Sequence, residues 1–147
     1  MFRSIVVGTD GSETASEAVR QATELAKAVG AKVNLVSAFQ PVGNQRLREE
    51  RQQVPDDAQW MVNEREDVDA TLKEAQEKAQ EAGVETELFA RQGDPADAIL
   101  DVAEEQGADL IIVGNKGMSG AKRFLLGSVP NKVSHHAPCS VMIIRTT

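Results

Sequence analysis

The sequence is poor in cysteine, in aromatic residues and in long apolar runs, and each shortage excludes a class of protein. A single cysteine, Cys139, cannot form an internal disulfide, which is typical of proteins that work in a reducing compartment. There is no run of about 18 apolar residues and no charged-then-apolar leader, so the sequence predicts neither a membrane span nor export. We therefore expect a cytoplasmic protein.

The composition also argues against a nucleic-acid partner. Four Phe, one Trp and no Tyr leave few rings for stacking on bases. The net charge is −7, yet residues 110–147 contain no acid and carry a charge of +5, which leaves −12 on residues 1–109. An acidic body repels a polynucleotide, whereas a local basic region can still receive a small anion. Chance segregation of charge in a short tail is the alternative interpretation.

Common catalytic and metal-binding motifs are missing. Neither G-x4-G-K-[ST] nor G-x-G-x-x-G occurs, so kinase-like and dehydrogenase chemistry lose their usual sequence support. His135 and His136 are adjacent at a predicted helix end and point in different directions, which favours a charge effect at the helix terminus over a metal site. No Ser-His-Asp or Cys-His arrangement and no general base is readable, so we expect a binding protein rather than an enzyme, without metal ligands.

What the sequence does contain is a fivefold alternation of apolar strands and helices over residues 1–147, the size of one domain. The predicted strands are Ile5–Val7, Lys32–Phe39, Val84–Ala90, Asp109–Val113 and Ser140–Arg145. The predicted helices span about residues 13–29, 56–82, 95–106 and 129–136, with caps at Ser12 or Asp10, at Asp56 and at Asp94. The polar stretch Gln40–Pro55 is predicted to be a lid, a partner surface or a mobile excursion. The alternation predicts an α/β, Rossmann-like open parallel sheet with helices on both faces.

The strand sequences also predict where a ligand binds. The first and fourth strands are continuous apolar runs typical of central strands, whereas the third alternates and is predicted to lie near an edge. In such sheets the ligand lies at the carboxyl ends of the strands, where the strand order reverses. If the order is 3-2-1-4-5, the reversal lies between strands one and four. The turn Gly8–Ser12 and the segment that starts at Gly114 then meet at one site.

The segment Gly114–Pro130, GNKGMSGAKRFLLGSVP, is the main candidate site. It joins an apolar strand to a helix start and has the spacing Gly114-x2-Gly117-x9-Gly127, with Ser128 directly after the last glycine. Glycines let a backbone approach a ribose or phosphate closely, and the N–H groups at a helix start favour phosphate. Ser128 adds a hydroxyl donor. The pattern predicts a binding site for nucleotide phosphates; glycines that merely shape a loop are the alternative.

Charged side chains around this segment allow two interpretations each. Asp10 can accept hydrogen bonds from a ribose hydroxyl or an adenine amino group, or it can cap the following helix. Lys116, Lys122 and Arg123 can pair with phosphates, or they are simply solvated, as most exposed basic residues are. The predicted proximity of Asp10 to the glycine segment favours the ligand interpretation for that residue.

By these residues the chain resembles the universal stress protein family over nearly its whole length. The ATP-binding branch of that family carries G-x2-G-x9-G-[ST], which is matched by Gly114, Gly117, Gly127 and Ser128. The turn Val7–Ser12 also resembles that of the family, with Asp10 at the position that meets the adenosine part of the nucleotide. Gly8 in place of a bulkier residue and Lys116 inside the glycine segment are small departures.

The resemblance implies a five-stranded parallel sheet in the order 3-2-1-4-5 and an adenine-nucleotide site. Ala38, near the end of the second strand, would offer backbone contacts to adenine, and residues 117–119 and 127–129 would hold phosphates. The full set of implied nucleotide-binding residues is Gly8, Thr9, Asp10, Ala38, Gly114, Lys116, Gly117, Met118, Ser119, Gly127, Ser128 and Val129.

The implied function is that of a stress-response regulator or sensor that binds ATP, with Mg²⁺ accompanying the nucleotide. Some members of the family look like cyclic AMP binders, and since ATP, AMP and cyclic AMP share adenine, ribose and one phosphate, the sequence leaves these ligands open. A slow ATPase and an interaction module with a vestigial site are further alternatives. The last strand of the family often pairs with its copy, so we expect a homodimer through Val141–Ile144, an apolar edge that would otherwise invite association.

Overall fold

Parallel strands alternate with helices along the chain. The computed structural model describes residues 1–39, 65–115 and 127–145. The elements in chain order are β1 (Ser4–Gly8), α1 (Glu13–Val29), β2 (Lys32–Phe39), α2 (Arg65–Glu81), β3 (Thr86–Gln92), α3 (Pro95–Glu105), β4 (Leu110–Gly114), α4 (Ser128–His136) and β5 (Ser140–Ile144). Within these ranges, no helix is both long enough and apolar enough to span a membrane.

The strands form one parallel sheet in the order β3-β2-β1-β4-β5. This confirms the predicted α/β sheet and its order 3-2-1-4-5. β1 lies in the middle, where Ile5, Val6 and Val7 are fully buried. The chain moves outwards from β1 to β3 and then returns to place β4 on the other side of β1, so the strand order reverses between β1 and β4. A crevice at the carboxyl ends of these two strands follows from this topology.

Two apolar clusters cover the two faces of the sheet. Val7 and Leu35 point into the cluster beneath α1 and α2, whereas Val6 and Val36 point into the cluster beneath α3 and α4. This division arises because successive side chains of a strand point to opposite faces. The buried strands have no polar face, which confirms that helices cover both sides of the sheet.

The helix ends follow the sequence closely. Ser12 caps α1 by accepting a hydrogen bond from the backbone N–H of Ala15 at 3.2 Å, and Gly30 ends that helix with a φ of 74°. Asp94 caps α3 by accepting from the N–H of Asp97 at 3.0 Å, with Pro95 in the first turn. These caps confirm the predictions for both helices and identify Ser12, not Asp10, as the cap of α1.

The start of β3 differs from the predicted one, and the predicted start of α2 lies outside the described residues. β3 begins at Thr86 rather than Val84, because the N–H of Val84 donates to the carbonyl of Ala79 at 3.0 Å and thereby belongs to the turn that closes α2. That turn contains Gly83 with a φ of 82°. α2 is described from Arg65 onward, so the predicted cap at Asp56 and the stretch Gln40–Pro55 lie outside the described residues.

Candidate functional site

The β1–α1 turn is held in place by its own side chains. The N–H of Thr9 donates to the carbonyl of Val36 at 2.9 Å, which extends the β1–β2 ladder by one residue. The Thr9 hydroxyl oxygen accepts from the N–H of Gly11 at 3.3 Å, and the Asp10 Oδ1 atom accepts from the N–H of Ser12 at 2.9 Å. Gly11 has a φ of 83°, a left-handed conformation that favours glycine. The turn is therefore a fixed platform at the end of β1.

Asp10 keeps one carboxylate oxygen unused. Its Oδ2 atom is buried and has no hydrogen-bond partner among the described residues. Burial raises the pKa of the Asp10 carboxyl above its ordinary value, against the opposing effect of its hydrogen bonds with Ser12. A buried acceptor without a donor costs about 1–3 kcal/mol. Since Ser12 provides the helix cap, Asp10 is not needed for that role, and its Oδ2 atom remains a buried acceptor without a donor among the described residues.

Ala38 presents its backbone to the same crevice. The carbonyl of Val36 points towards β1, since it accepts from Thr9, and the carbonyl of Phe39 points the other way, since it accepts from Gly93 at 2.9 Å. Because backbone groups alternate in direction along a strand, the N–H and C=O of Ala38 point to the β1 side. The β1–β2 register ends at the pair Gly8 and Val36, so β1 has already turned away at that level. Ala38 as a whole residue is 2% exposed, so what the structure shows is the direction of its N–H and C=O groups, beyond the last β1–β2 pair.

The described residues at the two ends of the glycine segment lie next to each other. The N–H of Asn115 donates to the carbonyl of Ile144 at 2.9 Å, and the N–H of Gly127 donates to the carbonyl of Asn115 at 3.0 Å. Gly114, the last residue of β4, pairs with Ile144 in the sheet. The end of β4 and the start of α4 are therefore fixed side by side, next to the end of β1.

α4 starts without a side-chain cap. Gly127 occupies the cap position and makes no side-chain cap hydrogen bond. Pro130 has no N–H, so Ser128 and Val129 carry the backbone donors of this turn, and the turn contains no acid. His135 and His136 lie in the last turn, where positive charge is favourable. The open amino terminus of α4 is thus suited to bind an anion.

The structure separates the roles of two of the predicted site glycines, Gly8 and Gly127. A Cβ on Gly8 would lie 2.5 Å from the Cδ1 atom of Ile99, so this glycine makes room for α3. Gly127 has a φ of −63°, which any residue adopts, so its value at the site lies in the absent side chain rather than in a special conformation. Close packing against Ile99 therefore explains why position 8 is a glycine, and the sequence pattern did not reveal this contact.

Several predicted residues lie outside the described ranges, namely Lys116, Gly117, Met118, Ser119, Lys122 and Arg123. A basic residue that the sequence did not single out is placed near the site. Lys132 of α4 contacts Asp94 at 3.3 Å and Asp97 at 2.9 Å, at the amino end of α3. These pairs are exposed and add little stability, but they connect the two helices that start at the carboxyl edge of the sheet. Among the residues described, no group of three or more His, Cys, Asp or Glu side chains is placed to hold a metal.

Sequence comparison identifies the family. The sequence profile of the universal stress protein family matches residues 1–145. Universal stress protein Rv1636 of Mycobacterium tuberculosis is 37% identical over 147 residues, covering 99% of this chain and 98% of that protein. Universal stress protein YxiE of Bacillus subtilis is 35% identical over 158 residues, covering 99% of this chain and 100% of that protein.

Solved structures agree with this assignment. A universal stress protein in complex with cyclic AMP is 34% identical and superposes with a TM-score of 0.72 over 99% of this chain and 98% of that one. A universal stress protein from Archaeoglobus fulgidus in complex with dAMP is 27% identical, with a TM-score of 0.67 over 97% of this chain and 98% of that one. Together with the fold and the profile match, these similarities show that the chain belongs to the universal stress protein family.

Proposed function

We propose that this protein binds an adenine nucleotide, with ATP as the leading candidate, in the crevice between the β1–α1 turn and the start of α4. The buried Oδ2 atom of Asp10 is the observation that carries the proposal, because a buried carboxylate oxygen needs a donor and a nucleoside offers hydroxyl and amino donors. The backbone of Ala38 adds a donor and an acceptor for a base edge. The uncapped N–H groups of Ser128 and Val129 suit phosphate at the other end of the same ligand.

The relatives support the class of ligand. Two related structures contain cyclic AMP and dAMP, which share an adenine base, a sugar and one phosphate with ATP. ATP is favoured here by the spacing of Gly114, Gly117, Gly127 and Ser128. Cyclic AMP is the second candidate, because the related structure that contains it is 34% identical to this chain. Mg²⁺ would accompany ATP and supply charge neutralisation at its phosphates rather than sit in a protein cage.

We assign a regulatory or sensing role in the stress response rather than efficient catalysis. Asp10 is held by the backbone N–H of Ser12 and faces the nucleoside end of the proposed ligand, away from the donors for phosphate, so it is poorly placed to activate water. The presence of a single cysteine supports a cytoplasmic location. Burial raises the pKa of the Cys139 thiol, so the thiol stays protonated and is not an activated nucleophile.

The signal would pass through a homodimer. β5 forms one edge of the sheet, and Met142 and Ile143 on it are 37% and 38% exposed. A second copy of this strand would cover both side chains and pair the open edge.

Isothermal titration of ATP, ADP, AMP and cyclic AMP into nucleotide-free protein tests the proposal. We expect at least one of them to bind with a Kd below about 1 mM, a free energy of about −4 kcal/mol, and the rank order identifies the ligand. Absence of binding by all four would leave an interaction module with a vestigial site. Multiple-turnover phosphate release from ATP that disappears in Asp10→Ala would instead establish a slow ATPase.

A further inference from the structure

A groove of about 530 Å³ lies between α1 and α2, on the face of the sheet that these helices cover. Ser16 and Arg20 of α1 and Thr71 and Lys78 of α2 line its two walls. The lining of α1 extends from Glu13 to Glu24, which corresponds to about 16 Å or three helical turns. The proposed nucleotide site uses the carboxyl edge of the sheet, so most of this groove lies apart from it.

The part of the groove floor that the described residues form has no buried polar side-chain atom without a hydrogen-bond partner. Thr9 and Thr23 contribute to it and are 3% and 8% exposed. The hydroxyl of Thr23 donates to the carbonyl of Val19 at 2.8 Å, and the hydroxyl oxygen of Thr9 accepts from the N–H of Gly11. Val19 and Ala75 complete the floor with apolar atoms. Because its hydroxyls already have partners, the floor suits aliphatic side chains better than a polar ligand.

The rim of the groove carries an excess of negative charge. Among the described lining residues, the two cations are already paired with acids of their own helices. Arg20 contacts Glu17 at 2.6 Å and Glu24 at 2.7 Å, and Lys78 contacts Glu74 at 3.5 Å. The described lining residues include four acids and two cations, which gives the rim a net charge of −2. The four acids are Glu13, Glu17, Glu24 and Glu74. An occupant with basic residues flanking an apolar stripe would match both the rim and the floor.

We propose that the α1–α2 groove docks a cationic amphipathic helix of a partner protein. The groove is as long as three helical turns, so apolar side chains at positions i, i+3, i+4 and i+7 would enter it, as in other helix-in-groove complexes. Lysine or arginine residues beside that stripe would face the acidic rim. The groove shares Thr9 and Gly11 of the β1–α1 turn with the nucleotide crevice, but its helix-lined part is argued without the nucleotide proposal and is tested separately from it.

Fluorescence anisotropy with a labelled leucine–lysine helical peptide of about four turns tests the groove directly. We expect saturable binding by the amphipathic peptide and weaker binding by a scrambled peptide of the same composition. Ser16 is exposed and lines the groove, so Ser16→Trp should weaken binding at least about tenfold by filling it. Ala28→Trp is the matched control, because Ala28 is exposed on the same helix and does not line the groove.

The charge of the rim has its own matched pair of variants. Glu13→Gln with Glu74→Gln should weaken peptide binding about threefold to tenfold at low salt, because two exposed charge contacts are lost. Asp101→Asn with Glu104→Gln removes the same charge from α3 on the other face of the sheet and should leave binding unchanged.

The proposal is overturned if the scrambled peptide binds equally well, or if Ser16→Trp and Ala28→Trp behave alike. Amide chemical shifts of the wild-type protein provide a readout that does not depend on variants folding. Changes at Ser16, Arg20, Thr71 and Lys78 on peptide addition support the groove. Changes confined to the exposed strand edge at Met142 and Ile143 would place the peptide on β5 and refute the groove.

Discussion

Asparagine at position 10 separates a ligand-binding role of Asp10 from a structural one. The substitution keeps the oxygen that accepts from the N–H of Ser12, and it replaces the buried, unpartnered Oδ2 by an N–H₂ donor. A hydrogen bond to a charged group contributes about 1.5–3 kcal/mol. We therefore expect the Asp10→Asn protein to bind ATP about 10- to 150-fold more weakly, while its free energy of unfolding without nucleotide is unchanged or rises by up to about 1 kcal/mol.

The pH dependence of stability gives a second signature of the same residue. Burial raises the pKa of Asp10 above its ordinary value of 3.8, so the folded state binds this proton more tightly than the unfolded state does. The resulting contribution to the free energy of unfolding is fully present below the unfolded pKa and is lost as the pH rises through the folded pKa. The asparagine variant lacks this loss, so its advantage over the wild type should grow from acidic to neutral pH. ATP affinity of the wild type should fall as Asp10 becomes protonated.

Titration calorimetry with ATP and urea denaturation between about pH 3.5 and 7.5 measure these two effects. Asp101→Asn is the matched control, since Asp101 is exposed on α3. An Asp10→Asn protein that binds ATP as tightly as the wild type would refute the role of Oδ2. A loss of more than about 2 kcal/mol of stability would show instead that Asp10 mainly supports the turn.

Three further substitutions test separate parts of the structure. Gly8→Ala should lower the free energy of unfolding by about 1–3 kcal/mol in urea denaturation, because its Cβ would lie 2.5 Å from Cδ1 of Ile99. Ile99→Val in the same chain removes that methyl group and should restore part of the loss. An unchanged urea midpoint in Gly8→Ala would contradict this packing. Gly127→Asp should abolish ATP binding in calorimetry, because it places an anion at the start of α4. The melting temperature of the protein should stay the same or rise, because aspartate is a favourable helix cap. Unchanged ATP affinity would show that the phosphates bind elsewhere. Ile143→Lys should convert the expected dimer to a monomer in light scattering, because it adds a charge to the exposed edge of β5. A wild-type protein that is already monomeric would refute the dimer.

Local sequence signals were sufficient for most of the fold. The apolar runs of β1 and β4 predicted central strands, and Ser12 and Asp94 marked helix starts that the structure confirms. These signals act over a few residues, so a single sequence contains them. The start of β3 was misplaced because the N–H of Val84 is bound by Ala79, a choice between two local hydrogen-bonding patterns that composition does not decide.

The site was predicted less completely, because its details depend on tertiary contacts. For Asp10 the sequence allowed a cap or a ligand contact and favoured the ligand contact only through a predicted proximity, whereas the structure assigns the α1 cap to Ser12 and leaves Oδ2 of Asp10 without a partner among the described residues. Gly8 was included in the site by the family resemblance, whereas its packing against Ile99 depends on how α3 crosses the sheet. The pairing of Lys132 with Asp94 and Asp97 likewise joins two helices that are distant in the sequence.

The most direct measurement is an amide-resolved NMR titration of the nucleotide-free protein with ATP. Binding in the proposed crevice should shift the amides of Thr9, Asp10, Ala38, Ser128 and Val129 with a common Kd, while the amides of the α1–α2 groove at Arg20 and Lys78 remain unchanged. Saturable shifts at any other surface, or none at about 1 mM ATP, would contradict a nucleotide site between β1 and β4.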